Sequence, residues 1–382
     1  VTLDMSGGEI EIVGDNGGQG IATNASNGIY AGFTIDLSGN AKITADVYDG
    51  CAMYLPGPGV TTISDSVEIV GKLQGIRIAA GVLNIEGGTI QNSNNRVDNA
   101  DLVSGGSGGT AGAVVVGKAS GGYPDDIIIN VTGGKIENVA DGDDNDAIVV
   151  SDKNMADTDE EGKLNYAEFK IEVNVSNGAD VTGNVYTVSN LTSDATEDGG
   201  NVSVKLEDVT IEGDIENASK SPVTANDVTV TGNVTAKNKD AEEKGGSISI
   251  INSVIEGNAS GNVILSGSRV EGVNNTQTVA TNKIYNNRTQ KEYDSLAEAI
   301  TDLEDGDTLI LGQGYFTADE TVTIDKNNIT ICGYDQDETT IQTAILVKGD
   351  NFAIKDLSID SDVEKTDALK FSQGTDLLTK GA

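Results

Sequence analysis

The feature that most constrains this chain is a short unit that it repeats. From Val202 to Gly213, two runs of alternating apolar and polar residues are joined by a polar pair and closed by glycine. The same pattern recurs at Thr2–Ile12, Thr34–Thr44, Thr61–Gly71, Val82–Ile90, Ile127–Ile136, Ile171–Val181, Asp227–Gly232 and Ile248–Gly257. Each run is about four residues long with period two, so one side is buried and the other wet. Ser-Gly, Gly-Gly, Thr-Gly and Asn-Gly stand between the runs and tolerate the left-handed backbone of a sharp corner. Helical spacing is missing over roughly the first 280 residues. Short strands stacked coil on coil account for this, and such repeats mark a solenoid.

The fold expected is all-β, a right-handed parallel β-helix. Residues 1–281 would form about nine or ten irregular coils, a rod roughly 45 Å long at the ordinary strand spacing. A β-sandwich is the rival, since its strands are also short and alternating. Four prolines, 4% aromatic residues and the aligned unit itself favour the solenoid. The long insertions Gln91–Gly112 and Ala140–Lys163, with lesser ones at Thr192–Gly200 and Lys237–Gly246, are expected to leave at one or two corners.

Composition excludes several functions. With 61 acidic and 24 basic residues among 382, the net charge of -37 repels nucleic acid and anionic lipid. No apolar run reaches the eighteen or so residues of a membrane span, so no membrane insertion is expected. Val1 opens directly into a repeat, the pattern of a trimmed or mature piece. Cys51 and Cys332 are the only cysteines and histidine is absent, which removes a disulfide framework, zinc sites and Ser-His-Asp or Cys-His nucleophiles.

The register changes near Asn282. Ser295 and Glu298 read as a capping box, and Leu296, Ala299, Ile300 and Leu303 keep helical spacing, which predicts one short helix over 295–304. After it come Gly306-Asp307-Thr308-Leu309-Ile310-Leu311, Gly312-Gln313-Gly314-Tyr315-Phe316 and Asn328-Ile329-Thr330-Ile331-Cys332-Gly333. This series, from Tyr293 to about Ile359, resembles the opening coils of pectin-lyase-like β-helix proteins. The resemblance implies that the helix caps a second β-helix, begun within 282–382. The weaker upstream repeats are similar to non-catalytic pectate-lyase-like modules of bacterial surface proteins, which implies an extracellular, cell-surface location.

Asp157, Asp159, Glu161, Lys163 and Glu168 fit the spacing of a calcium loop, with a glycine at Gly162 and the Lys163 carbonyl as a backbone ligand. Glu161 departs from the usual Asp or Asn, and strands rather than helices flank the loop. A solvated acidic loop is the competing reading, and calcium is the one cofactor these residue types suit. Gly142-Asp143-Asp144 looks like a fragment of the polygalacturonase signature, whose paired aspartates act as acid and base. The Asn-Thr-Asp and Arg-x-Lys of that signature are missing. Arg77, in Ile76-Arg77-Ile78, points outward by alternation and reads as an ordinary exposed arginine rather than a lyase base. Gly17–Ala22 and Gly105–Gly109 lack the residues of a calcium nonapeptide and a phosphate loop.

Sugars stack on aromatic rings, and with no tryptophan Tyr30, Tyr48 and Tyr54 are the candidates for one N-terminal patch. The function expected is a non-catalytic surface module, adhesin-like or a stalk, whose partner is a glycan or a host or cell-surface protein. The alternatives are a polysaccharide lyase, hydrolase or carbohydrate-binding module acting on acidic polysaccharide, and a calcium-stabilised spacer.

Overall fold

The computed structural model describes residues 1–14, 17–23, 32–96, 110–118, 125–151, 156–158, 164–166, 170–176, 178–188, 202–219, 221–236, 246–277, 279–289, 291–318, 320–360, 369–371 and 377–379. Its strands pair in parallel with their equivalents one coil further on. A first face runs through Thr2–Met5, Phe33–Leu37, Gly59–Ile63 and the start of Gly81–Asn92. It continues through the start of Ile127–Asn138, Ile171–Val175, Val202–Glu207, Val223–Asn226, Ile248–Ile251 and the end of Ala259–Ser266. These ten strands, one per coil, number the coils used below. A second face runs from Glu9–Glu11 to Arg269–Val270, and a third from Gln19–Ala22 to Asn274–Gln277. Parallel pairing throughout this sheet rules out the β-sandwich, which is built from antiparallel neighbours.

Alternation decides what each face buries. Leu83, Ile129, Val173, Val204 and Val223 are in register and all buried, part of one apolar stack running from Ile35 to Val263. Their neighbours point outward, and there Asn130 Nδ2 donates to Asn84 Oδ1 at 3.0 Å and Asn174 Nδ2 to Asn130 Oδ1 at 3.2 Å.

The corner after the first face carries one residue with positive φ in every coil. In order these are Gly8, Gly39, Asp65, Gly88, Gly134, Gly178, Asp208, Asp227, Asn252 and Gly267. Glycine adopts this backbone freely, and Asn and Asp stabilise it with their short polar side chains. The joining pairs of the repeat are this corner. Residues 93–111 connect the second face to the third, whereas 152–170, 189–201 and 237–247 connect the third face to the next coil.

The described strands from Ile284 onward form three smaller sheets. Thr308–Leu311, Thr330–Cys332, Phe352–Lys355 and Leu377–Thr379 pair in parallel, as do Gly314–Phe316, Thr339–Ile341 and Ser358–Ile359. A third parallel set is Val322–Ile324, Ile345–Val347 and Leu369–Phe371. One edge is closed by a hairpin of Ile284–Asn286 and Lys291–Tyr293, antiparallel to Thr308–Leu311. The periodicity gave no sign of this hairpin.

Helix α1 spans Leu296–Thr301, shorter than the expected 295–304, and the capping box does not form. Ser295 occupies the N-cap position in extended conformation but makes no side-chain cap hydrogen bond. The helix is anchored at its other end, where the Asp302 carboxylate accepts from Lys291 Nζ at 2.9 Å and from Tyr293 Oη at 3.0 Å.

The two units meet side by side. Tyr285, Ile310, Cys332 and Lys355 form one in-register outward row, and the first three pack on Ile251 and Ile264 of the first unit. Asn287 Nδ2 donates to Thr224 Oγ1 at 3.1 Å, and the Ser247 and Ser266 hydroxyls donate to Asn287 and to the Gly333 carbonyl.

Candidate functional site

The third face places Tyr54, Arg77, Val115, Val149, Tyr186 and Glu216 in one outward row, each the register partner of the next. Arg77 does point outward, but it is 1% exposed, so the expectation of an exposed arginine is corrected. The outer side of this face is covered: Val115 and Val149 are buried there with Tyr186 and Val188 against them. Alternation reports direction only, and says nothing of what packs on the outward side. Arg77 Nη1 donates to the carbonyls of Ile78 at 3.0 Å and Val115 at 3.4 Å. Burial pushes its pKa down, and the neighbouring Tyr54 and Cys51 oppose that.

Beside the row stands a cluster of charged side chains centred on Arg96. Arg96 Nε and Nη2 grip the two oxygens of Asp146 at 2.7 and 2.6 Å, and Nη1 donates to Glu216 Oε2 at 3.2 Å. The guanidinium lies 3.4 Å from the centroid of the Tyr186 ring, and Asp144 Oδ1 is 3.7 Å from Nη1. Asn184 Nδ2 donates to Asp146 Oδ1 at 3.4 Å and to the Asp143 carbonyl at 2.7 Å. One arginine, on the connection between the second and third faces of coil four, thereby ties together coils four to seven. Burial pushes the Asp146 carboxyl up, against the pull of Arg96 and Asn184. Burial also works against the Arg96 charge, but its partners, Asp146 foremost, win and raise it. Asp146 is fully enclosed and bidentate, so its carboxylate is committed to an ion pair. Asp144 is solvent-exposed. The sequence drew attention to this loop through Gly142-Asp143-Asp144. It missed Arg96, whose partners lie 50 and 120 positions away.

Tyr48 sits in the corner before the third face, 68% exposed, while Tyr54 is half-buried on that face beside Arg77. Tyr30 lies outside the described residues. Asp157 stands on the strand Ala156–Thr158, antiparallel to Leu164–Tyr166 with Asn165 as its register partner. Asp159, Glu161, Lys163 and Glu168 lie outside the described residues. Among the described residues no three His, Cys, Asp or Glu side chains are grouped to hold a metal ion. The two best-formed depressions enclose about 200 and 250 Å³ including open solvent, below the usual size of a small-molecule site. The larger lies between the units, against Lys205, Arg288 and Asp307. On the second unit, Tyr315 is 68% exposed, next in register to Thr340.

Burial pushes both thiols, Cys51 and Cys332, up to about 12. The unfolded chain ionises its thiols from about pH 8.5. Both folded values exceed the unfolded one, so the thiols contribute stability that is complete below about pH 8.5 and is lost as pH rises toward 12. Tyr285, also pushed to about 12 by burial, acts in the same direction above pH 10. Lys118 has the opposite sign: burial lowers it to about 8, so it favours the fold increasingly between about pH 8 and 10.5. The net loss is therefore expected to be steepest above about pH 10.5. A disulfide reagent at pH 8 will titrate no thiol in the native protein and two in denaturant, because a buried neutral thiol is inert. Rapid native labelling would show the burial to be wrong.

The chain matches no protein-family model, no curated protein and no solved structure.

Proposed function

We propose that the chain is a non-catalytic module of an extracellular bacterial surface protein, adhesin-like or a stalk, built as right-handed β-helices of the pectin-lyase-like kind. Right-handedness follows from the steric preference of parallel crossovers. The observation that carries the functional reading is the use to which the strong ion pairs are put. Arg96 joins coils, Arg288 is bidentate to Asp307 at 2.6 and 3.2 Å, and Lys355 reaches across to the first unit's Asp227 at 3.3 Å. These charges hold chain segments together. Beyond these pairs the described surface is strongly acidic, with Tyr48 and Tyr315 its most open rings. Tyrosine rings suit sugar stacking, and the net charge of -37 favours neutral glycans over acidic polymers.

The test is an array of neutral and acidic glycans probed with the full chain and with Tyr48→Ala and Tyr315→Ala. Saturable binding to neutral glycans, weakened at least tenfold in one variant, supports the proposal. Release of unsaturated uronide from a pectic polymer would overturn it in favour of a lyase.

A further inference from the structure

The junction between the units brings together an amine, a carboxamide and a shared carboxylate. Lys355 comes from the second unit and is 4% exposed; Asn226, from coil eight, is 8% exposed. Glu207 is the register partner of Asn226 in coil seven. Its Oε1 accepts from Asn226 Nδ2 at 3.3 Å and lies 3.8 Å from Lys355 Nζ. Asp227 Oδ2, on the next residue of the chain, is 3.3 Å from the same nitrogen. Asn226 Oδ1 is buried without a donor, so the amide is held only through its nitrogen. Lys355 itself ends the row Ile310, Cys332, Lys355, whose apolar members pack on Ile251 and Ile264.

We infer that this is a self-processing site, which joins the two units by an amide bond between Lys355 Nζ and Asn226 Cγ. Asp227 takes one proton from the Lys355 ammonium, and the freed lone pair attacks Cγ. Glu207, next to both nitrogens, passes a second proton from Nζ to Nδ2. The Cγ–Nδ2 bond then breaks and ammonia departs, collecting the proton left on Asp227. An ammonium and a primary amide become a secondary amide and an ammonium ion, with no oxidant, cofactor or water consumed. Both nitrogens lie against one Glu207 oxygen, at 3.3 and 3.8 Å, so the reactants are held by folded strands instead of meeting from solution. More than half of the Glu207 side chain is exposed, which leaves ammonia a way out. The bond makes lateral packing a permanent joint, a property that suits a load-bearing stalk.

The experiment is intact-mass spectrometry of the full chain after incubation at neutral pH, followed by protease digestion. The expected result is a mass one ammonia below that of the sequence, and a branched peptide joining Asn226 to Lys355. Lys355→Met will show the full sequence mass. Glu207→Gln, at a half-exposed position that the fold tolerates, will also retain the ammonia while keeping the native circular dichroism. A folded wild-type chain at sequence mass overturns the inference. So does an ammonia loss that maps to any other asparagine, or one that persists in Glu207→Gln.

Discussion

Replacing Arg96 by methionine will destabilise the middle coils by about 3–5 kcal/mol, because it leaves the enclosed Asp146 carboxylate without its counter-charge. Methionine keeps the aliphatic stem, so the lost energy reports chiefly the guanidinium, its charge and its hydrogen bonds. Adding Asp146→Asn on top of it will restore most of the loss. The neutral amide keeps its packing and still meets Asn184, and no charge is then stranded. A solenoid need not unfold as one unit, so the measurement is amide hydrogen exchange alongside urea denaturation. Faster exchange is expected at Asp146–Ser151, Asn184–Val188 and Ile215–Ala218, the third-face strands that carry Asp146, Tyr186 and Glu216. Uniform loss over all ten coils, or no recovery in the double variant, would show that the cluster does not hold the connection to the rod.

The same cluster marks what a sequence conveys about such a fold. Alternation at Leu83, Ile129 and Val173 and the corner residues Gly88, Gly134 and Asp208 are local signals, repeated at intervals, and each coil restates them. That repetition made the parallel stack legible. Arg96 and Asp146 are 50 residues apart, and Lys355 and Asp227 are 128 apart. Nothing near either arginine or lysine names its partner, because register between coils depends on connections of irregular length. Arg77 shows the same limit in another form: its direction was legible, and its cover was not. Ser295 and Glu298 matched a local pattern, yet the tertiary anchor at Asp302 governs that helix in place of the cap. The candidate calcium loop matched by spacing alone, and of its five candidate ligands only Asp157 falls on described chain.

The corner residues lead to the second large effect. Gly134 has φ of 79°, and an added Cβ would lie 2.6 Å from the Gly87 carbonyl and 2.8 Å from the Gly88 oxygen, all of it backbone in the coil below. Gly134→Ala therefore faces a left-handed backbone, about 1–2 kcal/mol, and overpacking against atoms that no rotamer change can move, about 1–3 kcal/mol more. Asp208 occupies the equivalent corner two coils further along, in the order Gly134, Gly178, Asp208, with φ of 53°. Asp208→Gly releases its residual strain while loosening the unfolded chain, and the two nearly cancel, leaving a change within about 1 kcal/mol. Urea midpoints of the two variants will thus differ widely although both exchange a single small corner residue. If Gly134→Ala proved as mild as Asp208→Gly, the corners would be pliant and the stack would take its register from the apolar core alone. The large difference expected means that the coil spacing is set at the corner as well as in the core, by a backbone contact that leaves no room for a single methyl group.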